Sequence, residues 1–308
     1  MYVTVTGGCG YVGSVLVPKL LDAGHIVRVI DLQWFGNYLQ PHERLKVVSG
    51  DIRDQSLSIG ASDAIIHLAA VANDPTGDLD PKLTWEINAL ATMQLADRAA
   101  REGVKQFIYA SSGSVYGISK SPNVTEETIL VPLSEYNKTK MVAERAVLSY
   151  ANDMKVQILR PATVCGYSPR MRLDVMVNSL TVQAATEGLM KFNGGAQYRP
   201  NIHIDDMTDL YLWMLDRPDL TGIYNAGFEN LQIKKIAYLV GQQANARSQA
   251  MPTDDLRSYR INSDKLLATG FQPKKTVADA IREIVERVKS GQLKDEKQWY
   301  NLATMKAA

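Results

Sequence analysis

Three glycines, Gly7, Gly10 and Gly13, set between a strand pattern and a helical one, limit what this chain can fold into more than any other feature of its 308 residues. Tyr2 to Thr6 is a short β-branched run, and Val12, Val15, Leu16, Leu20 and Leu21 then recur at helical spacing until Gly24. His25 to Ile30 reads as a second strand, and Asp31 ends it. Strand, G-x-x-G-x-x-G and helix together make a tight turn where backbone can approach a diphosphate closely. The first N–H groups of the helix then face that anion. An acid after the second strand accepts hydrogen bonds from an adenosine ribose and repels a 2′-phosphate, so the stretch predicts a dinucleotide site that prefers NAD to NADP.

The alternation continues along the chain. After a loop from Leu32 to Arg44, Leu45 to Ile52 reads as a strand that delivers Asp51. Ala64 to Ala70 is an apolar strand running into small residues, which suits a cofactor passing over its end; His67 within it is expected to be structural. Pro81 to Glu102 predicts a long amphipathic helix containing Asn88, and Val104 to Ala110 the next strand. This cadence indicates an α/β fold with a doubly wound parallel sheet, and the chain is long enough to add a smaller lobe. A formal net charge of +1 without a dense Lys/Arg block gives no electrostatic footprint for nucleic acid or membrane, so no polymer partner is expected. No apolar run approaches membrane-spanning length, Met1-Tyr2-Val3 carries no basic leader, and Cys9 and Cys165 are the sole cysteines; a soluble, cytoplasmic, reduced protein is expected. His25, His42, His67 and His203 lack ligand-like spacing, and no metal is expected.

The chemistry is expected after the fifth strand. It delivers Ser111-Ser112-Gly113-Ser114-Val115-Tyr116-Gly117, and Ser134 to Lys140 then opens a helix on which Tyr136 and Lys140, four apart, share one face. A phenol with a reference pKa of about 10 is a poor base at neutral pH, but a neighbouring ammonium and an oxidised nicotinamide both favour the phenolate. Tyr116 and Lys120 have the same spacing. Tyr116, however, lies in a strand-end turn followed by Gly117 and Pro122, so the acid/base role goes to Tyr136, and Tyr116 is expected to be a structural or pocket residue.

Taken in order, these motifs resemble those of the extended branch of the short-chain dehydrogenase/reductase superfamily. Two later segments narrow the resemblance to its NAD-dependent nucleotide-sugar epimerases and dehydratases, of the UDP-glucose 4-epimerase type. Leu159-Arg160 to Gly166 looks like the family's Leu-Arg-x-x-x-Val-x-Gly, with Thr163 where many members have Asn. Gly194 to Asp206, with Arg199 and His203, looks like Gly-x-x-x-x-Arg-x-x-Ile-His-Val-x-Asp.

The resemblance implies a Rossmann-like NAD domain over 1–165, to which 201–228 returns, and a mainly nucleotide-sugar-binding lobe over 166–308. It implies catalysis by Ser112, Tyr136 and Lys140. NAD would lie on Gly7, Gly10, Tyr11, Val12, Gly13, Asp31, Leu32, Asp51, Ile52, Leu68, Ala69, Ala70, Asn88, Tyr136, Lys140 and Pro161, with Asp51 meeting the adenine amino group. The substrate would meet Ser112, Ser114, Tyr136, Thr163, Arg172, Asn178, Arg199 and Arg257, Arg199 through its diphosphate, where a guanidinium fork matches the oxygens. It also implies a homodimer paired through the helices Pro81 to Glu102 and Tyr136 to Asn152.

The implied reaction is 4-epimerisation through oxidation at the sugar C4 to a 4-keto stage. The alternative is a 4-dehydrogenase or 4-keto-reductase. A 4,6-dehydratase is disfavoured because Gly113-Ser114 stands where such members carry Asp-Glu. A non-catalytic NAD-binding regulator is disfavoured by the intact Ser112, Tyr136 and Lys140. The helix Val277 to Lys289 is plainly amphipathic, and the tail Asp295 to Ala308 carries no signal.

Overall fold

The computed structural model describes residues 1–118, 121–254 and 258–306. Its strands are β1 (Tyr2–Thr6), β2 (Ile26–Asp31), β3 (Leu45–Ser49), β4 (Ala64–His67), β5 (Gln106–Ala110), β6 (Lys155–Pro161), β7 (Thr163–Cys165), β8 (Leu189–Asn193), β9 (Tyr198–His203), β10 (Gly222–Ala226), β11 (Glu229–Gln232) and β12 (Arg247–Met251). Its helices are α1 (Gly13–Asp22), α2 (Asp74–Gly77), α3 (Pro81–Trp85), α4 (Thr92–Arg101), α5 (Glu135–Leu148), α6 (Met176–Glu187), α7 (Ile204–Leu215), α8 (Ile233–Ala244), α9 (Asp264–Leu267), α10 (Val277–Lys289) and α11 (Asn301–Met305).

Seven strands form one wholly parallel sheet in the order β10-β6-β5-β4-β1-β2-β3. Thr6 pairs with Ile30 on one side and His67 on the other, so the strand order reverses at the C-terminal end of β1, where a doubly wound sheet opens its ligand crevice. Leu16, Leu20, Leu210 and Met214 pack α1 and α7 on one face, and Leu95, Ala99, Ala143 and Val147 pack α4 and α5 on the other. The small lobe holds α6, α8 and α10 over a core of Val177, Leu180, Ile236, Val240 and Ile281, with the two-stranded β12-β8 sheet. Segment 201–228 starts in β9, which joins β7 and β11 in a three-stranded sheet; α7 then lies against α1, and β10 joins the main sheet beside β6.

Several elements differ from the sequence reading for local reasons. The expected strand 156–166 breaks at Ala162, whose N–H donates to the Ala226 carbonyl at 2.8 Å, and residues 163–165 move to the small sheet. β3 ends at Ser49 and β4 at His67, so Asp51 and Leu68 to Ala70 leave the sheet as crevice loops. The helix from Pro81 is wound as a π-helix over Glu86–Ala91, where the buried Asn88 takes the Val71 N–H at 2.8 Å, donates to the Val71 carbonyl at 3.0 Å and reaches Thr139 at 3.2 Å. α5 stops at Leu148, short of Asn152. The tail is structured despite its featureless sequence: Trp299 is buried in a cluster with Tyr11, Met171 and Ile284, and α11 follows it. No helix among the described residues is long and apolar enough to cross a membrane.

Candidate active site

A cavity of about 1230 Å³ opens at the C-terminal ends of the central strands, between the sheet and the small lobe. Sites for one drug-sized ligand run to roughly 300–1,000 Å³, so this one has room for two molecules end to end.

One end is built by the glycine turn. Gly7 sits at φ +74° with its α-carbon so close to the β4 exit that a Cβ would lie 2.5 Å from the Ala69 nitrogen, and a Cβ on Gly13 would lie 2.5 Å from the Gly8 oxygen. Gly10, Tyr11, Val12 and Gly13 line the cavity at the start of α1, where a helix has N–H groups without intrahelical partners. Asp31 stands at the same end, accepting the Cys9 N–H at 2.9 Å on Oδ2 and the Gln33 N–H at 2.7 Å on Oδ1. Burial pushes its carboxyl up; those two N–H groups and the Arg170 charge oppose the shift. Leu32, Ile52, Leu68, Ala69, Ala70 and Pro161 line the cavity as well. Asp51 lines it too, with its carboxylate forked by Arg53 at 2.9 and 2.7 Å, which holds it below the usual range. The donor set and the glycine cradle therefore fit a dinucleotide.

Asn88 does not line the cavity; its amide is spent on Val71 and Thr139. Asn178 is one layer out as well. It is fully buried, accepts the Gly166 N–H at 3.0 Å, and donates to the Tyr11 hydroxyl and the Arg172 carbonyl, each at 3.0 Å.

Ser112, Ser114, Tyr136 and Lys140 meet at the middle of the cavity. Ser134 caps α5 by accepting the Asn137 N–H at 3.2 Å, which fixes the first helical turn that carries Tyr136. The Ser112 Oγ lies 2.7 Å from the Ser114 Oγ, which in turn donates to Asn137. Ser111 points the other way, to the buried Glu144 that Arg160 grips at 2.9 and 2.7 Å. Lys140 donates to the Ala110 carbonyl at 2.8 Å with its nitrogen 5.9 Å from the Tyr136 ring centre. Burial lowers its ammonium to about 7, Glu144 opposing. Burial also raises the Tyr136 phenol, against a hydrogen bond from Ser112 and the charge of Arg172, while Asp74 adds to the rise.

Arg172 is therefore a second cation at the phenol. It is held by Asp174 at 2.9 and 3.1 Å, and Asp174 also accepts from Asn73 at 2.7 Å. Tyr116 is fully buried outside the cavity, donating to Asn225 at 2.7 Å and accepting from Arg160 at 2.8 Å. Its spacing partner Lys120 lies outside the described residues, as does Arg257.

Thr163 and, at the lobe end, Arg199 complete the expected lining; Arg199 donates to the Tyr198 carbonyl at 3.2 Å. The sequence reading misses Asn73, Asp74, Asp174, Phe35, Arg170 and the tail residues Tyr300 to Ala303, all of which line the cavity. Asn73-Asp74-Pro75 is a turn signature where the segment after β4 enters α2, which marks a crevice loop; the others carry no short-range signal.

The model of the family described as "NAD dependent epimerase/dehydratase family" matches residues 3–227. The chain is similar to UDP-arabinose 4-epimerase 1 of Arabidopsis thaliana, with 30% identity over 264 residues, 73% of this chain and 63% of that protein. It is similar to UDP-glucose 4-epimerase of Lactobacillus helveticus, with 25% identity over 320 residues, 88% of this chain and 96% of that protein. It spans 60, 64, 65 and 63% of the lengths of four plant UDP-arabinose 4-epimerase sequences that it matches. In three dimensions it resembles the complex of Thermus thermophilus UDP-glucose 4-epimerase with NAD, with a TM-score of 0.83 and 25% identity over 94% of this chain and 99% of that one. Because the family match runs from β1 to the end of β10 and so takes in the whole dinucleotide-binding sheet, the chain belongs to the NAD-dependent epimerase/dehydratase family of the extended short-chain dehydrogenases/reductases, and its cofactor is NAD.

Proposed function

We propose that the protein is a UDP-sugar 4-epimerase. The observation that carries this reading is that Ser112, Tyr136 and Lys140 line the same cavity as the dinucleotide turn, with Arg199 at its far end. NAD, when bound, supplies a hydride acceptor that can return the hydride. Tyr136 removes the proton from the sugar O4, and Ser112 holds that oxygen by hydrogen bonding. Ser112 and Arg172 favour the phenolate that burial disfavours, and Lys140, 5.9 Å from the ring centre, adds to this when protonated. The same phenol reprotonates O4 after the 4-keto sugar has turned over. Arg199 holds the diphosphate meanwhile, so the nucleotide stays while the sugar turns.

Dehydration has less support. Gly113 and Ser114 bring no carboxylate beside Ser112, and a side chain at Gly113 would displace the Ile261 Cδ1 and lie 3.0 Å from the Pro161 oxygen. The helix from Pro81 to Arg101 leaves Trp85, Leu90 and Met93 exposed, and α5 leaves Val142; this apolar face is proposed as the homodimer surface.

The test of the reaction is NMR of UDP-sugars incubated with catalytic protein and NAD, which should show the C4 epimer without net NADH. Tyr136→Phe should lower turnover about a hundred- to ten-thousand-fold with NAD still bound. Tyr116→Phe should keep turnover and lose stability. The reverse pattern, or stoichiometric NADH, would overturn the assignment.

Arg199→Ala should weaken UDP binding by about 1.5–3 kcal/mol and Arg199→Lys by less, read by calorimetry. Equal affinity in all three chains would remove the phosphate role.

Lys140 gives a pH-dependent stability. Its folded pKa of about 7 lies below the unfolded value of 10.5, so the unfolded chain binds more protons between the two. The burial penalty is therefore complete below about pH 7 and is relieved as pH rises. Lys140→Met should raise the melting temperature more at pH 6.5 than at pH 9; a gain that does not depend on pH would contradict the buried ammonium.

Light scattering should give a dimer, and Met93→Glu a monomer with its NAD retained. A monomeric parent at micromolar concentration would exclude the dimer.

A further inference from the structure

Residues 297–306 take no part in the chemistry above, yet they cross the cofactor end of the cavity. Trp299 packs on Tyr38 in the loop after β2, ring centres 5.7 Å apart, and its carbonyl accepts the Leu173 N–H at 2.9 Å. Met305 and Lys306 reach Val71, Leu79 and Leu83 beside the exit of β4, around a second, 370 Å³ hollow. The loops after β2 and β4 are the two walls of the dinucleotide crevice on either side of β1. Between these ends, Tyr300, Asn301, Leu302 and Ala303 line the main cavity together with Asp31 and Phe35.

Arg170 is the contact that ties this segment down. Its guanidinium lies 4.1 Å from the Phe35 ring centre, donates to the Asn301 Oδ1 at 2.6 Å and to the Met171 carbonyl at 3.1 Å, and is 1% exposed. Its Nε is buried without a hydrogen-bond partner. Both acceptors are neutral oxygens, so the buried guanidinium depends on the Asn301 side chain and the Phe35 ring to offset its burial. Burial and Arg172 push the guanidinium down to about 10, and Asp31 is among the acids that oppose this.

We propose that residues 297–306 form a strap over the adenosine end of the NAD site, clamped by Asn301 on Arg170, and that its detachment sets the rate at which NAD leaves. The segment spans both crevice walls, so the dinucleotide cannot leave past Asp31 unless the strap detaches from Arg170 or the loops part.

The test is the release rate of NAD from the NAD-loaded protein, followed by displacement with excess labelled NAD. Asn301→Ala, which keeps the Trp299 packing, should speed release by about tenfold or more, and a chain ended after Lys294 should speed it further. UDP affinity, measured by calorimetry on the same variants, should stay within about twofold of the parent. Release within about twofold of the parent in Asn301→Ala overturns the strap, whether or not the shortened chain folds. An equal loss of UDP and NAD affinity also overturns it, because the segment would then support the protein as a whole.

Discussion

The contact between Gly7 and the β4 exit governs the rest of the molecule. With the Gly7 position of a Cβ only 2.5 Å from the Ala69 nitrogen and 2.8 Å from the Leu68 carbonyl carbon, the loops leaving β1 and β4 touch backbone to backbone. A φ of +74° is one that glycine adopts readily and that residues with a Cβ rarely adopt. A methyl group there would force the loops apart and shift the crevice floor. The Cys9 N–H would then no longer reach Asp31, and the start of α1 would no longer face the cavity. The rest of the cavity inherits this geometry, because β5 and β6 carry Ser112 and Pro161 to it from the next positions in the sheet.

A second constraint lies beneath the reacting groups. Glu144 is one turn beyond Lys140 on α5; it accepts from Ser111 and is forked by Arg160, and Arg160 donates to Tyr116, which donates to Asn225 on β10. The network joins the ends of β5, β6 and β10 to α5, with Arg160 and Glu144 only 3 and 2% exposed. Removing one partner of such a buried pair costs roughly 3–5 kcal/mol, because the other charge is left unpaired. It sits one residue from Ser112 and one helical turn from Lys140, so it sets their spacing without touching a ligand. Glu144 also offsets part of the burial penalty on the Lys140 ammonium.

The parts legible in the sequence are those whose signal is local. The glycine turn, the acid ending β2 and the cadence of strands lie within short windows, and each maps to an element at nearly the expected bounds. The different settings of Tyr136 and Tyr116 are legible because one begins a helix and the other a strand-end turn, and Tyr136 lines the cavity whereas Tyr116 does not. Asn88 is not legible in this way. Its position in a helix beside the crevice is visible, but the π-turn that aims its amide at Val71 rather than at the cavity depends on the loop after β4. Arg170 and Asn301 lie 131 residues apart, and neither has a pattern around it that announces the other.

The carboxylates that line the cavity bear on how far its chemistry extends beyond C4. Elimination of a C6 hydroxyl needs a group that can take a proton from C5 and another that gives one to the leaving oxygen. Asp174 is forked by Arg172 and accepts from Asn73, so taking up a proton would cost it a charge-assisted pair. Asp74 accepts from Ser134, the residue that caps α5, so a proton on it would disturb the helix start that carries Tyr136. Gly113 and Ser114, the two residues after Ser112, bring no third carboxylate beside it. The acids near the phenol are thus committed to holding Arg172 and α5 in place, which in the proposed reaction leaves Tyr136 to exchange the proton with the sugar. One such group suffices for oxidation and reduction at a single carbon, which accommodates the proposed epimerisation at C4 and leaves a dehydration without its second proton-transfer group.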